Sequence, residues 1–161
     1  MLPHGPEAQA PGEPAVAVVG PGQGEVIVLG TTRMRVLEDG SRTGHRLALT
    51  ESVLAPRTPG PPQHRHARHE EGFYVLSGTV RFTFGHQEHD AGAGTFVMVP
   101  PGAPHTFANT TDGPAVLLSV FTPDLYLHYF RDLRDTLARD GAPDPAASLR
   151  TMARYATEPA P

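Results

Sequence analysis

Short runs of strand-forming residues alternate with turn residues along most of this chain, and this rhythm is the feature that most restricts its fold. From residue 25 to residue 122, runs such as EVIVLG, TVRFTFG and AVLLSVFT are separated by Gly, Pro, Asp and Asn. The turn residues recur about every eight to twelve positions, as in an all-β sandwich or barrel. In TVRFTFG the apolar Val80, Phe82 and Phe84 alternate with polar residues, which predicts one buried and one exposed face.

The chain ends differ from this central part, so three segments are expected. Residues 1–24 are rich in Pro and Gly, which predicts a flexible N-terminal arm with one short strand at 15–19. Residues 25–122 form the predicted β-domain, and residues 123–161 form a C-terminal helical extension. At 161 residues, the chain is long enough for a single hydrophobic core.

Two helices are predicted in the C-terminal extension. Thr122 and Pro123 suit the cap and first position of a helix ending near Gly141. Its apolar face is formed by Tyr126, Phe130, Leu133 and Leu137. A second helix is expected to begin at Asp144 and Pro145 and to turn Leu149, Met152 and Ala153 toward the core. Both helices are expected to cover the sheet or a neighbouring subunit, and neither is assigned chemistry.

The composition removes several functional classes. The chain contains no cysteine, which excludes thiolate metal sites and cysteine catalysis. All thirteen basic residues are arginine, which excludes Schiff-base chemistry and lysine-containing phosphate loops. The net charge is −4 with no basic face, so no nucleic-acid partner is expected. Residues 1–24 contain neither a charged leader nor a membrane-length apolar run, which predicts a cytoplasmic protein without membrane contact.

The segment PPQHRHARHEEGFYVLSG, residues 61–78, concentrates histidine and glutamate beside a predicted strand. Because residues two apart share a face of a strand, His64 and His66 can approach one metal ion from the same side. Glu71 joins that face only if a kink or bulge interrupts the strand at 67–70, and Glu70 then points outward. On this spacing alone, a metal site and a solvated polar loop are about equally compatible with the sequence.

A second segment, GTFVMVPPGAPHTFAN at residues 94–109, supplies His105 after a Pro-Pro-Gly turn. Together the two segments resemble the two motifs of the cupin superfamily, and the second matches at every position. The resemblance implies a double-stranded β-helix, a jelly-roll-like barrel of two antiparallel sheets, with a metal at its centre. It implies His64, His66, Glu71 and His105 as metal ligands. It also implies turn roles for Gly78, Gly94 and Gly102.

The first motif departs from the family pattern, because only three residues separate Gly60 from His64 instead of the usual five. Prolines fill positions 61 and 62, so we interpret this departure as a reshaped entrance to the site. His69 and Glu70 are expected to face solvent, and Asn109 to satisfy backbone groups at a turn. The remaining histidines and acidic residues of interest are expected at the surface or isolated: His86, Glu88, His89, Asp90, His4, His45 and His128.

Three imidazoles and one carboxylate suit one divalent transition metal, Fe, Mn, Ni, Co or Zn, and leave two positions open in an octahedral field. Around it, an apolar chamber fit for an aromatic substrate is expected from Phe73, Val75, Met98, Phe107, Leu118 and Phe121. The segments HEEGFYVLSGTVRF, VPPGAPHTFAN and YFRDL are similar to small quercetinase-like cupins. That resemblance implies a dioxygenase acting with O₂ on an aromatic or enolic, flavonol-like substrate, with Glu71 as catalytic base.

Two alternatives remain open at the level of sequence. One is a redox-neutral cyclase, isomerase or lyase acting on a polyketide-like enol with the metal as Lewis acid. The other is a non-catalytic small-molecule-binding cupin, which we place third because a helix-turn-helix companion is absent from this sequence. A homodimer is expected in each case, because exposed sheet edges and an apolar N-terminal strand need covering.

Overall fold

Eleven strands and two helices make up the part of the chain that the computed structural model describes, residues 16–141 and 145–161. In chain order the strands are β1 Val26–Leu29, β2 Thr32–Glu38, β3 Ala48–Leu54, β4 His64–His66, β5 Glu70–Ser77, β6 Thr79–Phe84, β7 Gln87–Gly92, β8 Phe96–Val99, β9 Thr106–Ala108, β10 Ala115–Thr122 and β11 Thr157–Pro159. The helices are α1 Leu125–Asp140 and α2 Pro145–Arg154. The predicted all-β class with C-terminal helices is confirmed.

The strands pair in antiparallel fashion in three sheets. The largest has the order β1-β2-β3-β10-β5-β8, a second has the order β7-β6-β9, and β11 pairs with β4 alone. A bridge between His64 and His105 connects the β4 pair to the chain just before β9. The first two sheets pack face to face through a core that includes Leu54, Phe73 and Phe82.

A second apolar cluster lies at the other end of the large sheet, where α1 packs. It joins Ile27, Met34 and Phe121 from the strands to Tyr126 and Leu127 from the helix. All five side chains are at most 6% exposed. Burying apolar side chains of this size stabilises the fold by roughly 1.5–3 kcal/mol each, so the helix is held to the sheet mainly by these contacts.

The start of α1 differs from the prediction. Thr122 is the last residue of β10, where it pairs with Glu70, and its hydroxyl donates a hydrogen bond to the Glu70 carboxylate. The N-cap is Asp124, two residues later. The sheet ladder therefore outcompetes the capping preference of Thr122. At the other end, Gly141 follows the helix in a left-handed conformation (φ 71°), as its sequence position predicts.

The core-facing prediction for α2 is wrong for two of its three residues. Leu149 is 49% exposed and Ala153 is also exposed, while Met152 is half-buried. None of the described side chains of this helix is fully buried. Asp144, the predicted first residue, lies outside the described residues.

The predicted N-terminal strand is absent from its described part. Residues 16–19 pair with no strand, and the side chains of Val16 and Val18 are 93% and 84% exposed. Ala15 and His4 lie outside the described residues. Within 16–141 and 145–161, neither helix is long and apolar enough to cross a membrane. The cytoplasmic location stays a prediction.

Candidate metal centre

Strands β4 and β5 bring the first three candidate ligands together. His64 and His66 point inward from β4, 4% and 2% exposed, while Arg65 between them faces out. The chain leaves the strand after His66 and re-enters a strand at Glu70. This interruption, in place of a bulge within one strand, puts Glu71 on the inner face with 3% exposure.

A turn directs His105 toward the same point. The turn closes with a hydrogen bond from the Ala103 amide to the Pro100 carbonyl, and the Gly102 amide donates to the His66 carbonyl at 2.7 Å. Reciprocal backbone hydrogen bonds of 3.0 and 2.8 Å then join His64 and His105. The second motif is thus hydrogen-bonded directly to the strand that carries the first.

The four side chains form one buried cluster. The potential ligand atoms of His64, His66, Glu71 and His105 all lie within 4.8 Å of one another. Nε2 of His66 and Nε2 of His105 are each 3.1 Å from Oε2 of Glu71. Ligands about 2.1 Å from a common metal are separated by roughly 3.0 Å when adjacent in an octahedron, so these distances suit direct coordination.

The hydrogen bonds behind the imidazoles set which nitrogen faces the cluster. Nδ1 of His64 lies 2.8 Å from the Pro62 carbonyl, and Nδ1 of His105 lies 3.0 Å from the Ala103 carbonyl. Since carbonyls only accept, both Nδ1 atoms carry the proton, and a neutral ring then presents the Nε2 lone pair inward. Lone pairs and a carboxylate directed at one point repel each other unless a cation lies between them. The residues therefore fit a metal ion.

Burial and mutual contact shift the pKa values of the cluster. Burial, followed by the nearby His105, lowers the pKa of His64 to about 4, which favours the neutral ring that binds metals. For Glu71, burial opposes ionisation, but donation from Nε2–H of His105 and His66, which a bound metal would replace, outweighs it and lowers the pKa to about 2. A neutral His64 beside an ionised Glu71 is the protonation state that a metal site requires.

A cavity of about 250 Å³ opens onto the cluster. Its polar groups are His64, Glu71 and neutral hydroxyls, and no arginine is among the described residues that line it. The entrance loop contributes Pro59 to Pro62, and Gly60 is required there, because a Cβ at this position would lie 1.5 Å from the Phe107 carbonyl oxygen. Pro61 and Pro62 thus line the cavity, and the reshaped entrance stays a prediction.

The wall of the cavity differs in part from the predicted chamber. Phe73, Phe107 and Phe121 line it as expected from their strand positions. Val75 is completely buried in the core between the two sheets, away from the cavity. Met98 and Leu118 lie on the opposite face of the large sheet, and Met98 is 57% exposed. For Leu118 the reason is strand parity, because this residue alternates with the inward-facing Leu117 and Ser119.

Helix α1 supplies the wall that the strand pattern did not predict. Tyr126, Tyr129, Phe130 and Leu133 of α1 and Met152 of α2 all line the cavity. The Tyr126 ring packs edge-on against the His66 ring with centroids 4.2 Å apart. The helical spacing of Tyr126, Phe130 and Leu133 was visible in the sequence, but their partner surface was not.

His69 is buried, which makes the prediction of a solvent-facing side chain wrong. It is 1% exposed and its ring lies 4.0 Å from the His66 ring, between centroids. Both ring nitrogens lack a hydrogen-bond partner among the described residues, and burial lowers the pKa of His69 to about 4. His69 is therefore a neutral packing partner of His66. Glu70 is half-buried, and Asn109 bonds backbone groups at a turn, as expected.

Comparison with known proteins agrees with this architecture. A family model described as the cupin domain matches residues 50–121. The polyketide cyclase RemF from Streptomyces resistomycificus superposes with a TM-score of 0.59 at 24% identity, covering 67% of this chain and 80% of that one. A sugar phosphate isomerase from a cupin superfamily, from Silicibacter pomeroyi, gives 0.51 at 26% identity, covering 57% and 59%. The protein has the cupin fold, and these matches support its place in the cupin superfamily.

A curated relative is similar in sequence. The HTH-type transcriptional regulator PuuR of Escherichia coli (strain K12) is 28% identical over 122 residues, which are 74% of this chain and 63% of the regulator. The same similarity is found for PuuR of Shigella flexneri. The matched region thus spans less than two thirds of the length of these relatives.

Proposed function

We propose that this protein is a mononuclear metal-dependent dioxygenase that acts with O₂ on an aromatic or enolic, flavonol-like small molecule. The observation that carries the proposal is the junction of four buried ligand residues with an apolar, aromatic-lined cavity. His64, His66, Glu71 and His105 would hold one divalent ion, Fe, Mn, Ni, Co or Zn. When bound, such an ion supplies the positive charge that stabilises a deprotonated enol or phenol.

The cavity favours an uncharged, flat substrate. Phe73, Phe107 and Phe121 contribute ring surfaces from the strands, and Tyr129 and Phe130 contribute them from α1. Aromatic rings prefer such walls because offset and edge-to-face contacts add to the gain from burying apolar area. Among the described lining residues the only side chain with a full negative charge is Glu71, and no arginine offsets a phosphate or dicarboxylate. Sugar phosphates and small dicarboxylic acids are therefore poor candidates.

In this proposal Glu71 accepts the substrate proton. Both histidine contacts are made to Oε2, so Oε1 is the oxygen to which an enol or phenol proton would move. The apolar walls exclude water from that transfer, which prolongs the life of the anion. Because the pKa of Glu71 is lowered, the transfer also requires a bound ion, which would lower the pKa of the enol or phenol. The contribution expected of such a base is roughly 10²- to 10⁴-fold in rate.

A redox-neutral cyclase, isomerase or lyase of a polyketide-like enol is the second candidate. It is favoured by the hydroxyls of Ser52 and Ser119, which line the same cavity and are 3% and 4% exposed. Neutral hydroxyls can hold several substrate oxygens while a proton moves between carbon and oxygen. This chemistry needs the same Glu71 but no O₂.

A non-catalytic binding role is the third candidate. It is favoured by the similarity to the transcriptional regulator PuuR, whose matched region includes most of this chain. In that case the cavity would bind an aromatic or enolic effector, and the chain would require no turnover. Nucleic-acid contact by this domain itself is not part of the proposal, since its net charge is −4.

One experiment separates the three candidates. The metal-loaded protein is screened over flavonols and other enols with an oxygen electrode, and product formation is followed with and without O₂. Stoichiometric O₂ uptake supports the dioxygenase. Turnover under anaerobic conditions contradicts it and favours the redox-neutral class, while saturable binding without turnover favours the effector role. His105→Ala serves as the control that should bind little metal at the central cluster and show no turnover.

We also propose a homodimer formed by the outer face of the β5–β8 edge. Tyr74 and Leu76 of β5 are 40% and 42% exposed, and Phe96 and Met98 of the edge strand β8 are 58% and 57% exposed. Apolar groups on an open sheet edge favour pairing with another chain. Light scattering should give twice the monomer mass, and a Phe96→Lys variant should shift toward monomer. A parent that is monomeric at micromolar concentration contradicts this.

A further inference from the structure

His45 and His128 were expected to be isolated, but both rings contact the carboxylate of Asp124. Nδ1 of His45 lies 2.8 Å from Oδ2 of Asp124, and Nε2 of His128 lies 3.4 Å from the same oxygen. The three ligand atoms lie within 4.8 Å of one another. They come from the loop between β2 and β3, the link between β10 and α1, and the first turn of α1.

Asp124 occupies the N-cap position of α1 but makes no side-chain capping hydrogen bond. Its carboxylate is turned instead toward the two imidazoles, although the side chain is only 7% exposed. An N-cap Asp ordinarily satisfies an amide of the first helical turn, which stabilises a helix by about 1 kcal/mol. The Asp124 carboxylate therefore contacts the two imidazoles and does not make the usual capping hydrogen bond.

The loop that carries His45 is shaped around this carboxylate. Gly40 has a φ of 91°, and a Cβ there would lie 2.2 Å from Oδ2 of Asp124, so only glycine fits. The amide of His45 donates to the Gly40 carbonyl at 2.9 Å, and His45 itself has a left-handed φ of 62°. This backbone geometry is unusual for a residue other than glycine, and it points the ring at Asp124.

We propose that His45, Asp124 and His128 form a second divalent-metal site, suited to Zn(II). Two imidazoles and one carboxylate are a common Zn(II) ligand set, with water in the fourth position. Ligand atoms about 2.0–2.1 Å from a tetrahedral ion are roughly 3.3 Å apart, which the contacts of 2.8 and 3.4 Å approximate. The open side is available for exchange, because the His45 side chain is 74% exposed and that of His128 is 42% exposed.

Such an ion would tie a surface loop to the helix that walls the cavity. His128 and Asp124 flank Tyr126, and Tyr129 follows one residue after His128. The outer site would therefore stabilise the position of the aromatic wall without touching the central cluster. The inference does not depend on the proposed enzymatic function.

The test uses the full chain after removal of bound metal. Its Zn(II) binding is measured by isothermal titration calorimetry and, after desalting, by elemental analysis. The parent should bind two equivalents, and the double variant His45→Ala/His128→Ala should bind one, with unchanged circular dichroism. A matched control, His86→Ala/His89→Ala, removes two exposed hairpin histidines and should keep both equivalents. If parent and His45→Ala/His128→Ala bind the same number of ions, the outer site is disproved.

A second measurement keeps the two sites distinguishable. With Co(II), an imidazole-rich tetrahedral site gives stronger visible absorption than a six-coordinate one. In His64→Ala/His105→Ala, the outer site should still take up one ion with this spectrum. If folded His64→Ala/His105→Ala binds no Co(II), the outer site is disproved. If this variant loses one ion and keeps the other, the lost ion belongs to the central cluster and the outer site is supported.

Discussion

The hydroxyl of Thr157 lies 2.8 Å from Nδ1 of His66, so the last strand of the chain holds a residue of the candidate metal centre. The same hydroxyl donates to the Tyr155 carbonyl at 3.1 Å. Its single proton is thereby used, and it can only accept from His66. This fixes the proton of His66 on Nδ1 and leaves Nε2 free to face Glu71.

Thr157→Val keeps the shape of this side chain and removes the acceptor. Because partners behind a metal-bound histidine orient the ring and raise its basicity, metal affinity at the central site should fall by roughly 10- to 100-fold. Thr157→Ser retains the hydroxyl and should remain close to the parent. Affinities are measured by competition with a chromophoric chelator in the His45→Ala/His128→Ala background. Equal affinities for the Val and Ser variants would show that the contact is incidental.

The contribution of Thr157 could not have been predicted from sequence. The four central ligands lie in two segments whose spacing carries the information, since strand parity and one turn bring them together. Thr157 follows a helix, and no local sequence pattern predicts a strand there. Its strand β11 forms by pairing with β4, and 91 positions separate the paired residues His66 and Thr157. Tertiary pairing of this kind determines short edge strands, and periodicity does not.

Burial of His69 was missed for a related reason. The sequence places it in a polar run, but the interruption after His66 folds its ring back onto the His66 ring. The sequence predicted an apolar, aromatic-lined cavity. Three of the six residues expected to line it do not do so: Val75, Met98 and Leu118. Parity identifies the two faces of a strand, but it does not say which end of the inner face meets the cavity.

Two residues of α2 provide a matched test of the cavity wall. Met152 lines the cavity and Leu149, on the same helix, is 49% exposed. Met152→Ala should enlarge the cavity and change KM or binding affinity for a flavonol by several-fold, with metal content unchanged. Leu149→Ala should change neither. Fluorescence quenching titrations with one flavonol measure both, and an equal response of the two variants would argue that substrate does not reach α2.

The ion pairs at Glu25 predict how stability depends on pH. Arg131 donates to Oε2 of Glu25 at 2.6 Å and Arg134 to Oε1 at 2.8 Å, joining the chain before β1 to α1. These hydrogen bonds lower the pKa of Glu25 below its ordinary 4.5, although burial opposes them. A lowered folded-state pKa stabilises the protein above the unfolded value, and this contribution is lost as pH falls through the folded pKa.

Glu25→Gln should therefore lower Tm at neutral pH, and the difference from the parent should shrink as pH falls from about 6 to about 3. Glu88→Gln, on the exposed strand β7, is the control and should shift Tm little at any pH. Differential scanning fluorimetry over this range gives both comparisons. A Tm difference between the parent and Glu25→Gln that stays constant with pH would contradict the role assigned to the ion pairs.

Substitution of Glu71 by Gln separates its two roles. The amide keeps one oxygen donor but loses the charge and the ability to accept a proton. Metal-loaded Glu71→Gln should turn over roughly 10²- to 10⁴-fold more slowly per bound metal, and Glu71→Asp should retain more activity. Turnover is measured by O₂ uptake and normalised to metal content. A loaded Glu71→Gln variant as fast as the parent would mean that Glu71 is a ligand only.

The four-residue metal site is tested most directly by a crystal structure of the metal-loaded protein, with an anomalous difference map at the absorption edge of the bound metal. A peak should lie among Nε2 of His64, His66 and His105 and a carboxylate oxygen of Glu71, about 2.0–2.2 Å from each. A peak held by His69 or Glu70 in place of His66 or Glu71, or no peak within the four-residue cluster after loading, would contradict it.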